Sequence, residues 1–176
     1  MNETFQTLTE SVSTSWIEGL AMEELNMDES GIVNFNDHLN PAFHLESSSI
    51  NYMNSLRDRF ELYVERFNQY RGTRQGAQIR VFKISGTVND FMLFRNSLRL
   101  LVSRKANDLI SIGFLSNNGE LYSARLFNSE SQNQPHLLNA NIGAFSNIKW
   151  QFNGEDIDVD ALVKHYLSEF VRRSAK

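Results

Sequence analysis

The tripeptide Asn117-Asn118-Gly119 lies between two runs rich in apolar and β-branched residues, 109–115 and 120–127. Asn and Gly tolerate the positive φ angles that a tight turn between two antiparallel strands requires. The pattern therefore predicts a β-hairpin over 109–127. A hairpin commits this part of the chain to an antiparallel sheet.

Two further stretches are predicted strands: residues 78–85 are rich in β-branched and aromatic residues, and residues 147–152 alternate apolar with polar residues. Helical periodicity marks residues 50–70 and 159–173. In the first of these helices an apolar seam follows a strict three-four spacing: Met53, Leu56, Phe60, Tyr63, Phe67 and Tyr70. We expect this seam to pack on the sheet of the same chain, with a homodimer through helix 50–70 as the alternative.

Residues 88–104 have features of both a helix and a strand. Thr87 and Asp90 have the spacing of a helix capping box, and an apolar stripe follows at helical spacing: Phe91, Phe94, Leu98 and Leu101. The cap favours a helix over 88–104. The alternative is a strand over Leu98–Val102 that turns through residues 105–107.

These elements predict an α+β fold: a mainly antiparallel sheet of about four strands with three helices packed on it. The domain would extend from about residue 48 to the C-terminus, after an acidic segment over residues 1–47. The residues expected in its core are Phe60, Phe67, Phe94, Leu98, Ile112, Phe114, Trp150, Tyr166 and Phe170.

The composition is that of an ordinary globular chain, with 41% hydrophobic and 22% charged residues among 176. The sequence has no cysteine, which excludes disulfides, thiolate metal sites and a cysteine nucleophile. No apolar run approaches the roughly 20 residues that span a bilayer, and the N-terminus lacks the basic start of a secretory signal. We therefore expect a cytoplasmic protein that does not bind membranes.

The charges separate along the chain. Residues 1–56 contain nine Asp or Glu and no Lys or Arg, a net charge of −9, and the remaining 120 residues contain 17 basic and 12 acidic side chains, a net +5. Between Arg71 and Lys105 eight basic residues accompany a single acid, Asp90. We expect a helix near Glu10–Leu25 that packs through an apolar side and exposes its acids to solvent. A further prediction is that the acidic segment masks the basic middle, with binding of a basic partner as the alternative.

No catalytic or cofactor motif is present. The sequence lacks a G-x-S-x-G elbow, a Rossmann glycine pattern and any zinc signature, so it indicates no cofactor and no metal. The acids Asp156, Asp158 and Asp160 precede a helix, where negative charge favours capping over calcium binding. An active site built from Asp, Glu, Arg and Tyr stays open, and a deep pocket of ionisable groups would favour it.

These observations favour a non-enzymatic macromolecular interaction module, of the adaptor, chaperone-like or regulatory kind, whose partner is another protein. One alternative is a nucleic-acid-binding protein that uses residues 71–105, and another is an enzyme with an unrecognised site.

The residues predicted to bind are Arg80, Lys83, Arg95 and Arg99. Arg95 and Arg99 would lie one turn apart on an exposed helix face, while Arg80 and Lys83 would point to opposite faces of a strand. A solvated basic surface without a partner explains the same residues equally well.

Overall fold

A computed structural model describes residues 12–34, 36–72, 74, 76–127 and 133–175. The chain divides into two compact units, residues 1–38 and residues 39–176. We call the second one the sheet unit.

The N-terminal unit contains helix α1, Ser15–Ser30. Gly31 ends it in the left-handed region at φ 67°, with its N–H donating to the Met27 carbonyl at 2.8 Å. The helix was predicted at Glu10–Leu25, so it lies later in the chain than expected. The start of the predicted range, before residue 12, is outside the described residues. A buried apolar side was also expected, and α1 buries none of its residues.

Helix α2, Pro41–Arg71, is the first element of the sheet unit. It begins nine residues before the helix predicted over 50–70. The domain boundary expected after residue 47 therefore falls inside this helix. Asn40 caps the helix because its side-chain oxygen accepts the Ala42 N–H at 3.0 Å. Pro41 occupies the first helical position. An N–H at this position has no partner within a helix, so its absence in proline costs no hydrogen bond, and the fixed φ of proline suits the helix.

The described residues form one antiparallel sheet of eight strands, in the order β1-β2-β3-β4-β6-β7-β8 with β5 paired to β4. The strands are β1 Arg80–Lys83, β2 Phe91–Arg95, β3 Leu98–Ala106, β4 Leu109–Leu115, β5 Leu121–Tyr122, β6 His136–Ile142, β7 Ile148–Phe152 and β8 Glu155–Asp156. The α+β class and the antiparallel sheet are thus confirmed, but the sheet has twice the predicted number of strands. The predicted hairpin is present, although its second strand is only two residues long.

The predicted helix over 88–104 is wrong, because these residues form β2 and most of β3. The spacing of Thr87 and Asp90 does produce a local hydrogen bond, from the Asp90 N–H to Thr87 Oγ1 at 3.2 Å. That bond lies in the loop between β1 and β2. A second hydrogen bond closes this loop, from the Ile84 N–H to the Asp90 carbonyl at 2.9 Å. The alternative of a strand over Leu98–Val102 is confirmed.

Helix α3, Val159–Ser174, confirms the last predicted helix. Asp158 caps it by accepting the Asp160 N–H at 3.0 Å, so the acids before it include a helix cap, as expected. Both α2 and α3 pack on one face of the sheet, which we call the helix-covered face. Rings from the two layers meet there, Phe60 with Phe91 and Phe114 with Tyr166.

Of the nine predicted core residues, six are buried: Phe60, Ile112, Phe114, Trp150, Tyr166 and Phe170. The other three, Phe67, Phe94 and Leu98, are partly exposed. The seam of α2 packs on its own sheet through buried residues Met53, Leu56 and Phe60, so these residues cannot form a dimer contact. Tyr70, at the end of the seam, is 82% exposed.

Candidate binding surface

The opposite face of the sheet brings two of the predicted binding residues together. Arg80 on β1 is in register with Phe94 on β2, and Phe94 is in register with Arg99 on β3. Side chains in one cross-strand row point to the same side. Neighbouring strands lie roughly 4.8 Å apart, so the Cα atoms of the two arginines are about 10 Å apart. Both arginines are exposed, with the partly exposed phenylalanine between them.

A second row on this face is apolar. Phe82, Met92 and Leu101 are in register across β1, β2 and β3. The row ends at Gly113 on β4, where an added Cβ would lie 3.0 Å from the Tyr122 carbonyl oxygen. We define the outer face by the side chains of these two rows and two flanking leucines: Arg80, Phe82, Met92, Phe94, Arg99, Leu101, Leu115 and Leu137. Phe82 and Leu137 are 42% and 45% exposed.

The outer face is basic as well as apolar. Arg80 and Arg99 make no ion pair with any residue in the described part of the chain. Uncompensated guanidinium groups on an exposed surface attract acidic groups, and their planar forks suit carboxylates and phosphates. The face can therefore bind a partner that presents negative charge beside apolar groups.

Arg95, the third predicted binding residue, lies on the helix-covered face and is only 5% exposed. Its Nη1 donates to Ser174 Oγ at 3.2 Å and to the Val171 carbonyl at 3.5 Å, and its guanidinium lies over the Phe67 ring at 5.3 Å. Burial, together with the nearby charge of Arg71, holds the pKa of Arg95 below its ordinary value. The expected placement of Arg95 on an exposed face beside Arg99 is therefore wrong, because β2 directs it into the protein.

Lys83, the fourth predicted residue, is in register with Phe91, whose side chain is buried under the helices. Lys83 nevertheless stays exposed because β1 is an edge strand. The structure thus separates the four residues: Arg80 and Arg99 share the outer face, while Arg95 and Lys83 belong to the other side. The expectation that Arg80 and Lys83 point to opposite faces agrees with this arrangement.

A structural role also explains part of this basic surface. Charged side chains on an edge strand oppose pairing with the edge of another sheet. Arg80 and Lys83 occupy such an edge. Arg99 lies on the interior strand β3, so edge protection does not account for it.

Sequence reasoning missed the apolar half of this surface. Arg80 and Phe82 share a face because they are two residues apart on β1, but the helix predicted over 88–104 hid their partners on β2 and β3. Sequence reasoning also missed a cavity of about 300 Å³ beside α3. His136, His165 and Tyr166 are among the residues that line this cavity. Both an ionisable pocket and a basic sheet face are thus present.

No helix in the described ranges is long and apolar enough to cross a membrane. Comparison of the chain with protein-family models, with curated proteins and with solved structures finds no match.

Proposed function

We propose that this chain is a non-enzymatic macromolecular interaction module whose binding surface is the outer face of its sheet. The observation that carries this proposal is the cross-strand row in which Arg80 and Arg99 flank Phe94. Both helices of the sheet unit pack on the other side. The row is therefore presented by rigid strands, which hold binding groups more accurately than loops do.

The partner that fits this face best is a protein with acidic residues around an apolar patch. Protein interfaces commonly combine an apolar centre with arginine and aromatic side chains. The outer face has this composition, with Phe82, Met92 and Leu101 in one row and the two arginines in the next. Carboxylates of the partner would pair with the arginines while its apolar residues cover Phe82 and Leu137, the most exposed apolar residues of the face.

Single-stranded nucleic acid is a second candidate partner. Phe94 between two guanidinium groups favours it, because bases stack on exposed rings while phosphates pair with arginine. The overall acidity of the chain, with an isoelectric point near 5.6, opposes it. The same experiment distinguishes the two partners.

A photo-crosslinking residue, p-benzoylphenylalanine, should be placed at Phe82 in the full chain expressed in its own cells. The control carries the same residue at Tyr70, which is also exposed but lies on α2. We expect the Phe82 position to capture a discrete protein that the Tyr70 position does not capture. Captured RNA or DNA would favour the second candidate, a crosslinked pair of identical chains would indicate a homodimer, and no specific product would contradict the proposal.

The contribution of the arginines is tested by the double charge reversal Arg80→Glu with Arg99→Glu. The matched control reverses two exposed cations on the helices, Arg66→Glu with Lys164→Glu, which changes the net charge by the same amount. We expect only the first pair to abolish the Phe82 crosslink. Equal loss in both variants would show that the effect comes from net charge and not from the outer face.

A further inference from the structure

A cavity of about 300 Å³ lies between β6, β7 and the beginning of α3. Its walls are largely apolar and are formed by Leu126, Leu138, Phe152, Ile157, Ala161 and Leu162. This volume is at the lower end of the range for small-molecule sites, which combine apolar walls with a few polar groups. The cavity lies within the sheet unit and does not include any residue of the outer face.

The polar end of the cavity is formed by His136 and Tyr166. The Tyr166 hydroxyl lies 2.5 Å from His136 Nδ1 and donates to the Ile112 carbonyl at 3.3 Å. A hydroxyl has one proton, so both contacts are satisfied when Nδ1–H donates to the hydroxyl oxygen. In that tautomer His136 Nε2 carries a lone pair and is a hydrogen-bond acceptor. No residue in the described part of the chain binds Nε2.

The charge of the lining decides which ligand fits. The lining includes the carboxylates of Glu155, Asp156 and Asp158, and it contains no Lys or Arg. Asp156 is held by Lys149 at 2.8 Å, and Asp158 caps α3. Glu155 is exposed and has no such partner in the described structure. A cation would be attracted to this lining and an anion repelled.

The surroundings of His136 favour its neutral form. Burial, and to a lesser degree the neighbouring His165, hold the pKa of His136 below its ordinary value. His165 itself lies with its Nε2 2.7 Å from the Arg125 carbonyl oxygen. The cavity therefore offers an acceptor nitrogen, an apolar wall and a negative rim.

We infer that this cavity binds a small organic ammonium compound that carries an aromatic ring or a short hydrocarbon chain. The ammonium group donates to His136 Nε2 and faces the carboxylate of Glu155. The hydrocarbon part packs against Leu138, Phe152 and Leu162. This site is independent of the outer face, so either proposal can fail without the other.

The four histidines of the chain make the test direct, because their imidazole C–H signals are few and can be followed by NMR. The full chain should be titrated with 2-phenylethylamine, and separately with 3-phenylpropionate, which has a similar skeleton and the opposite charge. We expect saturable shifts of the His136 and His165 signals with the amine only, and unchanged His38 and His44 signals. Equal binding of the carboxylate, or no saturable shift with the amine, would overturn the proposal.

Two variants locate the site. Glu155→Gln should weaken amine binding by up to about fivefold, as expected for one exposed charge pair, whereas Glu120→Gln in the β4–β5 turn should not change it. Ala161→Leu fills the cavity from an exposed helical position, where leucine is a good helix former. We expect this variant to keep its fold and lose amine binding. Amine binding that survives in Ala161→Leu would place the ligand elsewhere and overturn the assignment.

Discussion

Two arginines that the sequence placed side by side have different surroundings in the fold. Arg95 is buried between strand and helix, and binds Ser174 and the Val171 carbonyl near the C-terminus of α3. Arg99 is exposed on the outer face. We therefore expect Arg95→Ala to lower the free energy of unfolding by about 2–3 kcal/mol, because it removes charge-assisted hydrogen bonds and opens a cavity. Urea denaturation measures this loss.

The matched change Arg99→Ala should alter the free energy of unfolding by less than about 0.5 kcal/mol, since exposed charges contribute little to folding. Equal losses at the two positions would show that Arg95 does not hold the helix end. This contrast revises the sequence-based expectation that Arg95 and Arg99 lie together on an exposed face. Arg95 lay in a segment predicted to be helical, and a helix would have pointed it away from the core.

A second residue-scale prediction concerns pH. Burial, followed by His165, lowers the pKa of His136 in the folded chain, whereas in the unfolded chain it titrates near the ordinary value of about 6.5. Between these two values the unfolded state binds more protons. The free energy of unfolding should therefore fall as pH is lowered below about 6.5. Denaturant titrations at several values from pH 7.5 to 5 measure this fall.

The variant His136→Gln should show a smaller fall over the same interval, because it keeps a polar group beside Tyr166 and has no titrating imidazole. The other ionisable groups that line the cavity with His136 are His165, Tyr166, Glu155, Asp156 and Asp158. They remain in the variant, so their contribution cancels in the comparison. Identical pH dependence in both proteins would contradict a role for His136.

At the scale of elements, the sequence predicted the structure best where the hydrophobic residues clearly followed the period of a strand or of a helix. Strand β7 and helix α3 appear at the predicted places, and so does the hairpin around Gly119, which adopts φ 81°. Strand β6 was missed because its residues, HLLNANI, alternate poorly and include two asparagines. Its pairing with β4 and β7 stabilises it, and such tertiary contacts leave no local signal.

The error over 88–104 has a specific cause. The run is so rich in apolar residues that it satisfies both helical and strand periods. In the structure the supposed helical stripe divides between two faces, with Phe91 buried under the helices and Phe94 and Leu101 on the outer face. The outer face could not be predicted from the sequence for this reason, since its middle strands were assigned to a helix.

The turn between β2 and β3 gives a prediction for this element. Arg95 pairs with Leu98, and the two intervening residues, Asn96 and Ser97, have φ angles of 47° and 68°. A two-residue turn with both φ values positive prefers glycine at its second position. We expect Ser97→Gly to raise the free energy of unfolding by about 0.5–1 kcal/mol through relief of this strain, as measured by thermal or urea denaturation.

The control is Ser85→Gly, in the β1–β2 loop. Ser85 is also exposed, but its φ is not positive. Glycine at such a position adds freedom to the unfolded chain without relieving strain, so this variant should be neutral or slightly destabilised. If Ser97→Gly is destabilised as well, the turn does not have the positive φ angles described here.

At the scale of the whole molecule, charge is divided between the two units. Residues 1–38 contain eight acidic residues and no Lys or Arg, which gives them a net charge of −8. Residues 39–176 have a net charge of +4, and the whole chain has a net charge of −4. A field of this kind acts over about one Debye length, roughly 8 Å at physiological salt and longer at low salt. That the acidic segment masks the basic middle stays a prediction, and charge neutralisation in the full chain can test it.

The variant Glu18→Gln, Glu23→Gln, Glu24→Gln and Glu29→Gln neutralises four exposed acids of α1 and changes the net charge from −4 to 0. We expect it to bind heparin more tightly than the wild type at low salt, with the gain lost as salt is raised, because weaker repulsion favours a polyanion. A control that neutralises Asp58, Glu61, Glu65 and Glu120 in the sheet unit has the same net charge. Equal gains would show that net charge alone acts, a larger gain from the α1 set would support masking, and no gain from either set would contradict anion binding by the basic residues.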